Sequence, residues 1–256
     1  MPTVKFIAEY DGTGYAGWQR QPNQRTVQEA IETAIEQLTQ IKVAVIGAGR
    51  TDAGVHALGQ VVSFRIDKDW TPYEWTRGMN ARLPEDISVS SAAIMSDDFH
   101  ARYAARGKLY EYRILNRPER PAVQRRYVWH VPQPLNDDAM RNAAAALVGT
   151  HDFTSFEGTL TDNEDPMCRL QRLSLSRDGG ILRIQAYADR FLKHMVRTMV
   201  GTLVEVGRGK RPAQEMVAIL EAKDRTKAGM TAPPHGLFLM RVDFDDDADR
   251  SSTDKS

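Results

Sequence analysis

Read by hydrophobic periodicity, the chain runs strand, helix, two strands, helix, strand, and the order then loosely restarts with one extra helix. Such an order holds 256 residues to an α+β architecture with antiparallel sheet in two similar halves. In the first half, Val4, Phe6, Ala8 and Tyr10 alternate with Lys5 and Glu9, which reads as a strand with one buried face; Ile7 is the exception. Thr26 and Glu29 make a capping box ahead of a helical stripe of Val27, Ala30, Ile31, Ala34, Ile35 and Leu38. A short strand over Val43–Ile46, a strand over Gln60–Ile66, a helix near Tyr73–Ala81 and a strand near Ile87–Ile94 follow.

The second half opens with a strand over Lys108–Leu115. Asn136 caps an Ala-rich helix expected to end at Gly149. Strands over Leu170–Ser176 and Ile181–Ala188 flank Asp178-Gly179-Gly180, a hairpin signal. Phe191–Val206 reads as a helix with Met195, Met199, Val200 and Leu203 inward. Pro212 opens another at the first-turn position, and Leu237–Phe244 closes as a strand. The expected divisions are 1–104, 105–244, and an acidic tail over 245–256 expected to be disordered. A cleft between the halves is the expected place for a site.

Charge matters here by its distribution. The net charge is zero, but the last fourteen residues hold six Asp against Arg250 and Lys255. Without them 32 basic residues stand against 28 acidic ones. Residues 99–130 carry eight Arg or Lys against Glu111 and Glu119, and residues 169–211 carry ten against Asp178, Asp189 and Glu205. Arginines clustered near aromatics suit phosphate contact and base stacking; solvated faces are the competing explanation. The single cysteine, Cys168, excludes an intrachain disulfide and points to the cytoplasm. The longest apolar run, Ala143–Val148, is far below the ~20 residues that span a bilayer, and the N-terminal stretch lacks the apolar run of a secretory signal. The closest two histidines are twenty-one residues apart, so no metal-ligand spacing is present. No GxxxxGK[ST] or GxSxG occurs.

Two loops carry the chemistry. Gly12-Thr13-Gly14-Tyr15-Ala16-Gly17 spells GxGxxG after a strand. A dinucleotide site needs a helix to start at the third glycine, but Pro22 intervenes and the helix cap comes at Thr26. The loop reads instead as a tight turn, or as one that approaches RNA with Tyr15, Trp18, Arg20 and Arg25 on it. Gly49-Arg50-Thr51-Asp52-Ala53-Gly54-Val55-His56-Ala57 joins two apolar strands and carries one carboxylate, Asp52. An Asx-turn is the ordinary role of such an Asp. A chemical role needs Asp52 ionised, which a cation within ~4–6 Å favours.

GRTDAGVHA, with DGTGYAGWQ upstream, closely resembles the tRNA pseudouridine synthase A family. The resemblance continues through Gly107-Lys108-Leu109-Tyr110-Glu111-Tyr112, through Phe191-Leu192-Lys193-His194-Met195-Val196-Arg197 with Gly201, and through Gly236-Leu237-Phe238-Leu239. It covers about residues 3–244. It implies the pseudouridine synthase fold, with two similar α/β halves whose sheets join around a central basic cleft. It implies a homodimer without metal or cofactor, acting on uridines 38, 39 and 40 in the anticodon stem-loop of tRNA. Asp52 matches the family's catalytic aspartate. Tyr110 matches the tyrosine that stacks on the target base, Arg197 the arginine that pairs with the aspartate, and Leu237 an apolar residue against the base. Arg50 matches an arginine that extrudes the nucleotide or holds its backbone. Asp52 could add to C1′, add to C6 or remove the 2′ proton, and the sequence does not choose. Two other readings compete: a non-catalytic RNA chaperone on the same scaffold, and an RNA N-glycosidase.

Overall fold

The structure, a computed structural model, describes residues 1–158 and 165–245. Of the acidic tail only Asp245 falls among them, and part of the Leu160–Met167 loop also lies outside. In chain order the elements are β1 (Thr3–Tyr10), α1 (Val27–Thr39), β2 (Ile46–Gly47), β3 (His56–Arg65), α2 (Pro72–Asn80), β4 (Ile87–Met95) and β5 (Gly107–Leu115). There follow β6 (Trp129–His130), α3 (Asp137–Ala145), β7 (Gly149–Asp152), β8 (Met167–Asp178), β9 (Ile181–Ala188), α4 (Met195–Gly207), α5 (Glu215–Ala222) and β10 (Leu237–Asp243). The chain forms two compact units. One comprises Met1–Arg106 with the residues from Phe238 on, and the other Gly107–Leu237.

In the first unit the strand order is β4-β1-β3-β10, with β2 on β3. β1 runs antiparallel to both β3 and β4, and β10 joins β3 in parallel through Phe238 and Leu239 opposite His56 and Ala57. That parallel pairing puts a C-terminal strand in the N-terminal unit. The alternation in β1 buries Val4, Phe6, Ala8 and Tyr10. Trp75 of α2 packs against Phe6 at 5.9 Å and Phe64 at 5.6 Å between centroids. Burying each of these large side chains contributes roughly 1.5–3 kcal/mol. Thr26 caps α1 by accepting from the Glu29 amide.

One expected strand is shorter than its sequence. Val43–Val45 carries no strand structure, and pairing starts only at Ile46. Side chains of α1 take both polar groups of the Val45 backbone. Glu32 Oε1 accepts from the Val45 amide at 3.1 Å, and Gln28 Nε2 donates to its carbonyl at 3.2 Å. A backbone already satisfied this way has nothing left for a ladder.

In the second unit the order is β5-β9-β8-β7, antiparallel throughout, with β6 parallel on β5. Asn136 caps α3 by accepting from the Ala139 amide, but the helix ends at Ala145. Leu147 and Val148 tighten to i−3 carbonyls, and Gly149, at φ +137°, turns the chain into β7. The α4 helix starts at Met195, not at Phe191. His194 at φ +62° marks a left-handed corner before it. Pro212 sits in the turn ahead of α5, its carbonyl accepting from the Glu215 amide. No helix among the described residues is long and apolar enough to cross a membrane.

Candidate functional site

The first unit contributes the Asp52 loop, which leaves β2 and enters β3. A buried polar network braces it from below. Gln60 of β3 is fully buried, and its amide closes on both backbone groups of Gly49, donating to the carbonyl at 2.7 Å and accepting from the amide at 3.3 Å. The Tyr10 hydroxyl shares a 2.8 Å hydrogen bond with Thr51, next to Asp52. Burial pushes that phenol up to about 12, against the pull of its bonds to Thr51 and Gln60, so it stays neutral. The turn itself is closed by the Val55 amide on the Asp52 carbonyl at 3.1 Å, with Gly54 at φ +77°. Asp52 is half-buried and Arg50 exposed.

The GxGxxG segment is the wall behind this loop. Asp11 caps a short 3₁₀ turn at Gly12–Gly14, and no helix follows until Val27, so the segment cannot present a helix terminus to a pyrophosphate. Its glycines serve close approach. A Cβ on Gly12 would lie 2.0 Å from the Val55 carbonyl oxygen, and one on Gly17 2.7 Å from that of Thr51. Backbone bonds from Trp18 to Thr51 and from Gly54 to Tyr15 fasten the two loops together. The Gly12 amide donates to Nδ1 of His56, whose ring stacks on Phe238 at 4.8 Å.

Of the two readings of this loop, a tight turn accounts for its aromatic residues, while its arginines lie on the surface. Tyr15 and Trp18 are buried. Arg25 lies over the Tyr15 ring at 4.3 Å and pairs with Asp86 at 3.0 Å. Arg20 pairs with Glu32 at 3.2 Å and Glu29 at 3.3 Å. Tyr15 and Trp18 hold the loop in shape from within, and the two exposed arginines tie it to α1 and to Asp86.

The second unit carries Tyr110, Arg197 and Leu237. Tyr110 of β5 is buried opposite Ala186, and the edge of its ring meets Phe191 at 5.1 Å and 85°. That contact explains why Phe191 leaves the helical pattern, since the left-handed corner at His194 lets it swing toward β5. Arg197 stands in the first turn of α4, and its Nε donates to the Ala232 carbonyl at 2.8 Å. Tyr112, two residues beyond Tyr110 on the same face of β5, donates its hydroxyl to the Pro233 carbonyl at 2.7 Å. Burial raises the Tyr112 phenol far above its ordinary range, and the Arg197 charge pulls it back only in part. His235 is held below the ordinary histidine range by burial and by the Arg197 charge, against a hydrogen bond from its ring to the Val128 backbone. Leu237 is buried at the start of β10. The segment that touches Arg197 and Tyr112 is therefore the one that leads into Leu237.

Many arginines of the two basic stretches are already paired within their own unit. Arg113 and Arg183 share the buried carboxylate of Glu111, at 2.8 and 3.3 Å. Burial alone would raise Glu111, but bonds from Gln185 and Arg113 and both positive charges hold it below the usual carboxylate range. Arg177 pairs with Asp137, Arg190 with Asp165 and Arg211 with Glu205. Arg106 forms a two-pronged pair with Asp245. For these residues sheet and loop architecture accounts for the charge. Among the described residues no group of three or more His, Cys, Asp or Glu could hold a metal ion.

A family model described as tRNA pseudouridine synthase matches residues 6–104 and 143–245. The chain belongs to that family. It is 44% identical over 242 residues to a tRNA pseudouridine synthase A of Thermoanaerobacter sp. (strain X514), covering 94% of this chain and 99% of the relative. It is 46% identical over 245 residues to one of Methylobacterium nodulans, covering 95% and 96%. It is 44% identical over 250 residues to one of Allorhizobium ampelinum, covering 96% of both. The mixed α+β architecture is that of the pseudouridine synthase fold, and the family is one of isomerases. Residues that the sequence reading missed surround those it named. Gln60 is a polar residue beside the apolar pair Val61-Val62 of β3, which is a legible signal. Phe191 opens one of the motif blocks but carried no assigned role, and residues 228–234 carry no signal.

Proposed function

We propose that this chain isomerises uridine to pseudouridine at positions 38, 39 and 40 in the anticodon stem-loop of tRNA, as a cytoplasmic homodimer, with Asp52 as the catalytic carboxylate. The observation that carries the reading is likeness along nearly the whole chain to proteins named tRNA pseudouridine synthase A. The braced loop around Asp52 supports it.

The reaction breaks the C1′–N1 bond, turns the uracil and forms C1′–C5. The proton leaves C5 and one is gained at N1, so the balance requires no outside electron or group donor. A base inside a stem must first be flipped out, at a cost of a few kcal/mol. Arg50, exposed two residues before Asp52, is the residue assigned to hold the displaced backbone. Tyr110 offers a face fixed by Phe191, and Leu237 apolar surface. Arg197 is the cation assigned to pair with Asp52. An ionised carboxylate is the common start of addition at C1′, addition at C6 and removal of the 2′ proton.

Stacking on an aromatic ring contributes roughly 1–3 kcal/mol per base. Tyr110→Ala is therefore expected to lower kcat/KM by about 5- to 150-fold. Steady-state kinetics on tRNA check this, and an unchanged kcat/KM removes Tyr110 from the site. The positional claim is tested with transcripts carrying tritium at C5 of uridine. Release is expected from a transcript with U38–U40 and not from one with cytidine there; equal release from both overturns it.

A further inference from the structure

The segment 228–234 has no regular structure before the 3₁₀ turn that begins at Pro234, yet it is fastened to one face of α4 along its length. That face is formed by Arg197, Thr198, Gly201, Thr202 and Glu205, spaced so that they line one side of the helix. The Gly229 amide donates to Thr202 Oγ1 at 2.9 Å, and the Met230 amide to Glu205 Oε1 at 3.3 Å. The Met230 carbonyl lies so close to the helix that a Cβ on Gly201 would meet it at 1.8 Å. Thr231 and Thr198 hydroxyls stand 3.4 Å apart. Ala232 is gripped on both sides by one residue: its amide donates to the Arg197 carbonyl at 3.0 Å, and its carbonyl accepts from Arg197 Nε at 2.8 Å. Pro233 takes the Tyr112 hydroxyl.

The Nε bond fixes the plane of the Arg197 guanidinium, because a planar fork anchored at Nε has one orientation left. Whatever sets Ala232 therefore aims Arg197. Arg225 makes two bonds across this segment, from Nη1 to the Gly229 carbonyl at 3.0 Å and from Nη2 to Thr231 Oγ1 at 2.9 Å. Its own base is anchored. Asp224 caps the 3₁₀ turn Arg225–Lys227, and the Asp224 amide donates to the fully buried Ser155 hydroxyl at 2.9 Å.

We propose that residues 228–234 form a strap that aims Arg197, and that Arg225 is the positioning residue that holds the strap in place. The proposal rests on the reading of Arg197 as the cation of the site. Arg225 acts at a distance, through Ala232, on the guanidinium that does the work. The Gly201 contact leaves the strap no room to settle nearer the helix, so loss of Arg225 releases it outward.

The test compares Arg225→Ala, Arg225→Lys and Thr231→Val, each also made in an Arg197→Ala background, with tritium release and tRNA binding as readouts. Misplacement of a working group by about 1 Å costs on the order of 100-fold. Arg225→Ala is expected to lower kcat by about 10- to 100-fold with tRNA affinity within about 3-fold of the parent. Arg225→Lys recovers part of the loss. Thr231→Val, which removes only the strap's hydroxyl, shows a smaller loss in kcat and serves if Arg225→Ala does not fold. In the Arg197→Ala background neither strap variant lowers the residual rate further, because a residue acting through Arg197 has nothing left to act on. Losses that multiply in that background overturn the proposal, as does an unchanged kcat in both strap variants. Full activity of Arg197→Ala itself overturns the reading on which the proposal rests.

Discussion

Asp52→Asn is expected to abolish isomerisation while leaving tRNA binding intact. Asn keeps the size and shape of the side chain, so the loop held by Gln60, Tyr10 and the Gly12–Gly17 wall has no reason to move. What disappears is the charge. An amide cannot add to C1′ or C6 as a carboxylate does, nor take the 2′ proton. Removal of a group at the centre of a reaction commonly costs about 10⁴-fold or more in rate. Single-turnover tritium release is expected to fall on that scale, while the tRNA dissociation constant changes by less than about 5-fold. An unchanged rate would remove Asp52 from the chemistry. A parallel collapse of binding and thermal stability would return it to the role of a turn cap.

Gly12→Ala is the second large effect, and it separates two glycines of one motif. At Gly12 the added methyl meets the Val55 carbonyl oxygen at 2.0 Å, and a backbone oxygen cannot rotate away. At Gly14 the nearest atom is Nη1 of Arg25 at 3.2 Å, the mobile end of a long side chain. Overpacking of this kind costs typically 1–3 kcal/mol and sometimes more. We expect Gly12→Ala to lie at or above about 3 kcal/mol in urea unfolding, with activity lost because Val55 is displaced three residues from Asp52. Gly14→Ala should cost under about 1 kcal/mol and leave turnover near the parent value. Equal losses at both positions would contradict the account of this segment as a wall behind the Asp52 loop.

How legible all this was depends on what each element buries. β1 and α1 could be read because one face of each is packed and the other solvated, so their periods stand out in the residues. Positions 43–45 misled because they have strand composition, while the Val45 backbone is taken on both sides by side chains of α1. Phe191 misled for the opposite reason. It sits four residues before Met195 and fits the helical stripe, but its ring is taken by Tyr110, and His194 in the left-handed region delays the start of the helix to Met195. The parallel seat of β10 on β3 joins residues nearly two hundred positions apart and leaves no local mark. At the site, Asp52, Arg50, Tyr110, Arg197 and Leu237 were named through motif resemblance alone. Composition and spacing could not have distinguished Asp52 from an ordinary loop carboxylate. The strap over 228–234 was invisible, because its order comes from α4 and from Arg225 and not from any pattern of its own.

The central claim is that this chain moves a glycosidic bond within uridine and does not merely bind or cleave RNA. One incubation tests it most directly: the protein with an unmodified tRNA transcript tritiated at C5 of uridine, followed by separate counts of tritiated water and of free uracil. The account predicts tritium in water, up to one equivalent for each of U38, U39 and U40 present, with no free uracil and the transcript intact. Free uracil in the supernatant would make the protein an N-glycosidase, and no release at all would make it an RNA-binding protein on the same scaffold; either result contradicts the account.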